Sequence, residues 1–258
     1  MKSDDLYGDI FRGELIFRPA FLESRSLVEA AREVVRACFG ESPELLSADL
    51  FRERLNEARE EVASPRFSRL AACCLAALGL TAKDLNLDTV RLRAVTPGLE
   101  DIESAAPVFY GHRDTWYGNP ACQVNAWLPL QRVDRRNSFR FYLDHFEAPI
   151  ANDSEGFVAQ VFERERGFGR LDANRSSVYP RALVPPGGQT YEVEMERADV
   201  LLFSAAHLHQ TLVNRSSKVR FSLDFRFFRE RHLEAEVGAP DRDNRSQGLC
   251  LGSFRRIH

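Results

Sequence analysis

Residues Ser204 to Arg226 read SAAHLHQTLVNRSSKVRFSLDFR, and the alternation on either side of the polar centre decides the fold. If Asn214 and Arg215 form a two-residue turn, Val213 pairs with Ser216 and, counting outward, His209 stands opposite Arg220. Alternation then puts His207, His209 and Thr211 on one face with Arg220, Ser222, Asp224 and Arg226. Leu208, Leu212, Phe221, Leu223 and Phe225 point the other way. A polar face inside an otherwise apolar sheet is costly to bury unless its charges are paired or liganded, so this stripe predicts a site.

The chain around it has the same character from about Asp88 onward. Short runs rich in Val, Phe, Tyr and Leu are separated by Pro-Gly, Gly-Asn-Pro and Pro-Pro-Gly-Gly clusters, which is the signature of antiparallel strands and turns. Strands are predicted at Thr89 to Val95, Val108 to Asp114, Cys122 to Leu130, Phe139 to Asp144, Thr190 to Glu196, Val200 to Phe203, His207 to Val213 and Val219 to Phe228. Upstream, apolar residues at helical spacing predict helices at Ser24 to Gly40, Ser47 to Ala63 and Ser68 to Leu78. The expected fold is mostly β with a helical buttress: a double-stranded β-helix, that is, a cupin-like jelly roll. One domain spans 1–258, with 1–87 as mainly helical support and 88–228 as the jelly-roll core. Within the core 152–186 breaks the rhythm as an insertion or lid, and 229–258 forms a C-terminal tail.

Composition excludes several classes. The 258 residues are 44% hydrophobic and 28% charged with a net charge of -3, which suits a soluble globular chain and gives no footprint for a nucleic-acid or anionic-membrane partner. The longest apolar run, Leu70 to Leu80, is far short of the about 20 residues of a membrane span. Asp4, Asp5 and Asp9 stand where an export signal would be basic. Five cysteines without a Cys-x-x-Cys pair suit a reducing compartment, so a cytoplasmic protein is expected; Cys73 and Cys74 read as core.

His112 and Asp114 stand two apart in Phe109 to Trp116, FYGHRDTW, and on a strand would share a face. Such a pair is common by chance and needs a third ligand, for which His207 and His209 are the candidates. Two histidines and one carboxylate on one face of a barrel suit ferrous iron in oxygenases, because adjacent coordination positions stay open. A 2-oxo acid would fill two of them, and its far carboxylate needs a permanently charged, forked partner, for which Arg220 is the choice.

With these residues the sequence resembles the non-haem Fe(II)/2-oxoglutarate-dependent oxygenases of the phytanoyl-CoA dioxygenase-like group. His112-x-Asp114 is followed 95 positions later by His209, then by Thr211, Asn214 and Arg220, matching that family's histidine with a small hydroxyl residue at plus two, asparagine at plus five and arginine at plus eleven. This register favours His209 over His207. The resemblance covers about Tyr110 to Arg226 and implies a metal site of His112, Asp114 and His209, with Arg220 on the oxoglutarate carboxylate. It places Trp127 beside the cosubstrate, and Thr211 and Ser222 are read as hydrogen-bonding helpers. Gln123, Asn125 and Trp127 alternate onto one face and would line the pocket. The implied reaction uses Fe(II), 2-oxoglutarate and O2 to oxidise a small, polar metabolite by hydroxylation, desaturation, cyclisation or epimerisation. Asp114 argues against halogenation, which requires a small residue there. The Trp116 to Pro120 loop suggests natural-product tailoring, and the unmatched 152–186 segment argues against the coenzyme A type. The alternative is a jelly-roll metal- or ligand-binding protein without oxygenase activity. Arg226 is read as pairing with Asp224 or another acidic residue, or as binding an anionic substrate, and His145, His232 and His258 as structural or surface residues.

Overall fold

The computed structural model describes residues 3–80, 83–164 and 179–257. The chain opens with helix α1 (Ser3–Phe11) and a short strand β1 (Ile16–Arg18), followed by three helices, α2 (Leu22–Phe39), α3 (Ala48–Val62) and α4 (Pro65–Ala77). Local chemistry sets their ends. Ser47 caps α3 by accepting a hydrogen bond from the Leu50 amide, and Pro65 occupies the first turn of α4, where a missing N–H costs nothing. The serine expected to cap α2, Ser24, lies inside the first turn instead and reaches back to accept from the Phe21 amide at 3.0 Å. Among the described residues no helix is long and apolar enough to cross a membrane.

The strands form two antiparallel sheets. The larger contains β1, β2 (Leu85–Leu87), β3 (Arg91–Val95), β4 (Val124–Pro129), β7 (Val200–Ser204), β9 (Arg220–Arg229) and β10 (Arg255–Arg256), in the order β1-β7-β4-β9-β2-β10 with β3 also on β9. The smaller is β6 (Thr190–Glu192), β5 (Phe139–Tyr142) and β8 (His209–Thr211). Short helices α5 (Ala159–Arg164) and α6 (Glu230–Glu234) complete the described elements. Strand alternation sorts the core. Val124, Ala126, Leu128, Leu202, Phe221, Leu223, Phe225 and Phe227 pack outward against α1 to α4, whereas Trp127, Leu201 and Phe203 meet Phe139 and Phe141 of the smaller sheet. The two sheets thus enclose an interior lined on one wall by the inner residues of β4 and β9, the layout expected of a jelly roll with a helical buttress.

Four expectations change. The predicted hairpin from His207 to Phe228 does not form: β8 pairs with β5, and β9 pairs with β3 and β4 in the other sheet. Asn214 makes the difference, because its side-chain amide donates to Val95 O at 2.7 Å and Lys218 O at 2.9 Å while its oxygen accepts from the Ser216 amide at 3.0 Å. These bonds hold a wide crossover between sheets in place of a tight turn. The predicted strand Val108 to Asp114 is instead a 3-10 stretch, Glu103–Phe109, interrupted by Pro107, with only His112 bridging to His209. The C-terminal segment is no loose tail, since β10 adds to β2 and the stretch before it packs under the first ligand motif. Cys73 is exposed, while Cys74 is core as expected. Of the 152–186 segment, residues 165–178 lie outside the described residues, as does His258; what is described includes α5 and a bridge from Asn152 to Ala182.

Phe225 is fully buried between sheet and helices. Phe225→Ala is expected to lower stability by about 3–5 kcal/mol, measured by urea denaturation, with the secondary structure retained.

Candidate metal centre

Two reciprocal main-chain hydrogen bonds, His112 N to His209 O and His209 N to His112 O, both 3.0 Å, hold the two histidine-bearing segments side by side. Their imidazole centroids lie 4.5 Å apart. His112 Nδ1 sits 2.9 Å from Tyr110 O, and His209 Nδ1 sits 3.0 Å from His207 O. A carbonyl oxygen only accepts, so each Nδ1 carries the proton and each Nε2 turns a lone pair inward, the arrangement that orients ligating histidines. Asp114 begins the 3-10 turn Asp114–Tyr117, and its Oδ1 lies 3.6 Å from His112 Nε2. Ligand atoms of His112, Asp114 and His209 all fall within 4.8 Å of one another, and the side-chain set suits a divalent cation with open coordination positions.

A polar wall supports the carboxylate. Asp114 Oδ2 accepts from Asn125 Nδ2 at 2.7 Å, and Asn125 Oδ1 accepts from Gln123 Nε2 at 2.9 Å. Asn119 donates to the Asp114 main-chain oxygen at 2.8 Å. Arg226 approaches Oδ1 at 3.7 Å. Burial pushes the Asp114 carboxyl pKa up, but the nearby Arg226 charge leads the influences that outweigh it and hold the group ionised, well below the usual carboxylate range. For His209 burial dominates, reinforced by His112 and only partly opposed by Asp114, and pushes the ring down to about 4. The site thus presents a neutral His209 imidazole and an ionised Asp114 carboxylate beside the inward-facing Nε2 of His112.

Arg220, at the start of β9, is 4% exposed. One of its terminal nitrogens donates to Ser222 Oγ at 2.8 Å, and the guanidinium lies 5.8 Å from the Trp127 ring. Its Nε has no partner, and among the described residues no carboxylate pairs with it. Burial, with Arg93 nearby, pushes its pKa down to about 10, with Asp224 pulling weakly the other way. Asp224 is already engaged, accepting both forks of Arg93 at 2.7 and 3.1 Å. The Phe139 ring lies near both groups, its centroid 5.0 Å from that of Trp127 and 6.4 Å from that of His209. Register places the two groups on one wall, with Asn125 opposite Arg226, Trp127 opposite Asp224 and Pro129 opposite Ser222.

The structure therefore brings His112, Asp114, His209, Asn125 and Gln123 into one cluster and Arg220, Ser222 and Trp127 into a second beside it. Thr211 lies on β8 opposite Phe139, half-buried, and makes no side-chain hydrogen bond among the described residues. His207 turns away from the cluster. Its Nδ1 is 3.2 Å from Ser204 O and its Nε2 3.1 Å from Gly13 O, and burial pushes it down to about 4.

Of the two acidic partners open to Arg226, the structure gives Asp114 rather than Asp224, because Arg93 of β3 claims Asp224 across a pairing invisible in local sequence. Two further groups lie beyond what sequence reasoning found. Arg113, between the two motif ligands, points away from them into a buried clamp: it pairs with Asp243 at 3.0 Å and donates to the main-chain oxygens of Ala206, His145 and Ala148. Asp243 also accepts from Trp116 Nε1 and from the Ile150 amide, both at 2.9 Å. The turn after Asp114 closes at Gly118, whose φ of 69° favours glycine and where a Cβ would lie a tight 3.1 Å from Gly248 O. Trp116 and Tyr117 of the loop that suggested natural-product tailoring are buried, so these two side chains are part of the frame.

No protein-family model matches the chain, and no curated protein matches it in sequence. Solved structures do. The apo form of the non-heme monooxygenase ThoJ superposes with a TM-score of 0.52 at 15% identity, over 87% of this chain and 77% of that one. EvdO2 from Micromonospora carbonacea var. aurantiaca, complexed with 2-oxoglutarate, gives 0.52 at 14% identity over 86% and 89%. HygX from Streptomyces hygroscopicus, with nickel and 2-oxoglutarate bound, gives 0.50 at 18% identity over 89% and 88%. At these identities the likeness is one of fold: the chain has the jelly-roll architecture of non-haem, 2-oxoglutarate-binding oxygenases.

Two outcomes are expected. Asp243→Asn leaves the Arg113 guanidinium buried without its counter-charge, so stability should fall by about 3–5 kcal/mol in urea denaturation, and nickel titration should show weaker binding. His207 and His209 bind protons less readily when folded, at about 4, than at the ordinary 6.5, so between those values the unfolded chain holds more protons. The metal-free protein should accordingly lose stability as pH falls from about 6.5 to about 4, seen as a lower urea midpoint at pH 5 than at pH 7; equal midpoints would show that the rings titrate normally.

Proposed function

We propose that the protein is an Fe(II)- and 2-oxoglutarate-dependent dioxygenase that oxidises a small molecule. The observation that carries this reading is the buried, carboxylate-free guanidinium of Arg220 beside a His112, Asp114 and His209 cluster. A structural metal site has no need of such a cation, and leaving one unpaired in a barrel is costly. An incoming dicarboxylate removes that cost. The donor set also fits the metal: two nitrogens and one oxygen ligand suit ferrous iron and leave positions for a chelating keto acid.

In this reading His112, Asp114 and His209 hold the iron. The Tyr110 and His207 carbonyls fix both imidazoles, and Asn125 occupies Asp114 Oδ2 so that Oδ1 faces the metal. Arg220 receives the far carboxylate of 2-oxoglutarate, with Ser222 orienting its fork and Trp127 covering it. Phe139 and Phe203, flanking His209, keep water from the cluster. Iron and 2-oxoglutarate together supply the oxidising power, dioxygen being consumed as the keto acid is split to succinate and carbon dioxide and a substrate C–H bond is opened. Asp114 fills the ligand place that a halogenating site leaves small, so the products are those of oxygenation or of related C–H oxidation: hydroxylation, desaturation, cyclisation or epimerisation. The substrate class is a small, polar metabolite, with natural-product tailoring as the setting. The fold shared with ThoJ, EvdO2 and HygX supports the assignment.

The test is spectroscopic and needs no substrate. Anaerobic protein given Fe(II) and 2-oxoglutarate should develop the weak visible charge-transfer band of a chelated keto acid. Asp114→Ala and His209→Ala should each abolish it, and Arg220→Ala should raise the oxoglutarate needed by roughly 10-fold or more. Iron binding without the band would instead favour a jelly-roll metal-binding protein lacking oxygenase activity.

A further inference from the structure

Arg226 is a second cation, partly buried, that the dioxygenase reading leaves unused. Its side chain is 15% exposed, and its guanidinium reaches only Asp114 Oδ1, at 3.7 Å, and Asn119 Oδ1, at 3.5 Å, among the described residues. Both contacts are long for a guanidinium hydrogen bond. Asp114 Oδ1 is also the oxygen nearest His112 Nε2, the one the cluster turns toward a metal. Once a dication shares that oxygen, Arg226 has no counter-charge of its own.

The charges of the interior make the point quantitative. Arg93 with Asp224 and Arg113 with Asp243 are close, self-neutralising pairs. A ferrous ion, Asp114, Arg220 and the 2-oxoglutarate dianion also sum to zero. Among the described residues Arg226 is then the one positive charge remaining on this wall, and a partly buried, unpaired charge favours a partner. Arg220 and Arg226 stand six residues apart on β9, about 20 Å of strand at ~3.3 Å per residue, so they serve different groups. The guanidinium fork is shaped for a planar or tetrahedral oxyanion.

Resting on the dioxygenase reading for the identity of the site, we infer that the primary substrate is an anion, whose carboxylate or phosphate group is held by Arg226 beside Asp114. Asn119 orients the guanidinium from one side, and Asn125, bonded to the other oxygen of Asp114, leaves that carboxylate unable to rotate toward it. Recognition and chemistry thus sit within a few side chains of each other, and a neutral analogue of the substrate would leave the arginine desolvated and unpaired.

The experiment uses inorganic phosphate as the probe and manganese as the paramagnetic reporter. Protein loaded with Mn(II) and saturating 2-oxoglutarate is titrated with phosphate while the 31P relaxation rate is followed. Wild type should show a saturable enhancement. Arg226→Gln should weaken the apparent affinity by roughly 10-fold or more, the size of a lost charge-assisted hydrogen bond, and Arg226→Lys should recover part of it. Manganese content is measured alongside each variant; if Arg226→Gln fails to hold the ion, the wild-type titration and Arg226→Lys decide. No saturable enhancement in wild type, or equal affinity in Arg226→Gln, would overturn the inference. So would phosphate binding that 2-oxoglutarate abolishes, since Arg226 would then serve the cosubstrate. A missing charge-transfer band in the iron protein, with phosphate still bound, would sink the dioxygenase reading and leave the anion site standing.

Discussion

The paired main-chain hydrogen bonds between His112 and His209 are the constraint on which the site depends. They are the only ladder contact that the 109–114 segment makes among the described residues, and they join a segment without strand structure to the edge of the smaller sheet. Each histidine also donates from Nδ1 to a main-chain oxygen two residues earlier, Tyr110 O and His207 O. Backbone alone therefore fixes the position, tautomer and rotation of both rings. The side-chain network has a smaller task, which is to present one oxygen of Asp114.

That task is harder because Asp114 is buried. A buried carboxylate would ordinarily take up a proton, and here the opposing influences win, led by the Arg226 guanidinium 3.7 Å from Oδ1, while Asn125 donates to Oδ2 at 2.7 Å. Burial acts on His209 in the opposite sense, freeing its lone pair, so burial and the Arg226 charge divide the work: one keeps the His209 ring neutral and the other keeps Asp114 ionised. The clamp of Arg113 on Asp243 does for the backbone what Arg226 does for the charge, tying the ligand motif to Ala206, Ala148 and the C-terminal segment at once.

How far this was legible in the sequence follows from the range of each interaction. Helices α2 to α4 have long amphipathic periods and near-local caps, and their spans are readable to within a few residues. Strands β3, β4, β5, β7 and β9 likewise stand where alternation places them. Strands β1, β2 and β10 have two or three residues each, too few for any period, and owe their existence to partners far along the chain. α1 carries Leu6, Tyr7, Ile10 and Phe11 at helical spacing, a signal present but hidden by attention to its acidic start. Face assignments within a strand survived, whereas pairing between strands did not: His209 and Arg220 both face the interior although they belong to different sheets. Turn chemistry misled, because Asn214 reads equally as a hairpin residue and as the organiser of a crossover. Asp243 had no local signal at all, sitting in a polar stretch 130 residues from the arginine it neutralises.

Strand β9 shows why such a barrel can hold its fold while its sequence drifts. Phe221, Leu223, Phe225 and Phe227 face the helices and carry the packing energy, and Arg220, Ser222, Asp224 and Arg226 face the interior. The two sets share a backbone but make no common side-chain contacts, so their contributions are close to additive. Substitutions on the outer face are limited by volume, and those on the inner face by charge balance. Identity near 15% to structures of the same architecture is what such loose volume rules permit. The inner face changes under a stricter rule: every cation there must meet an anion, whether Asp224, Asp114 or a bound molecule. On the proposed function, the guanidinium that no carboxylate neutralises among the described residues, that of Arg220, would meet its negative charge in a bound molecule.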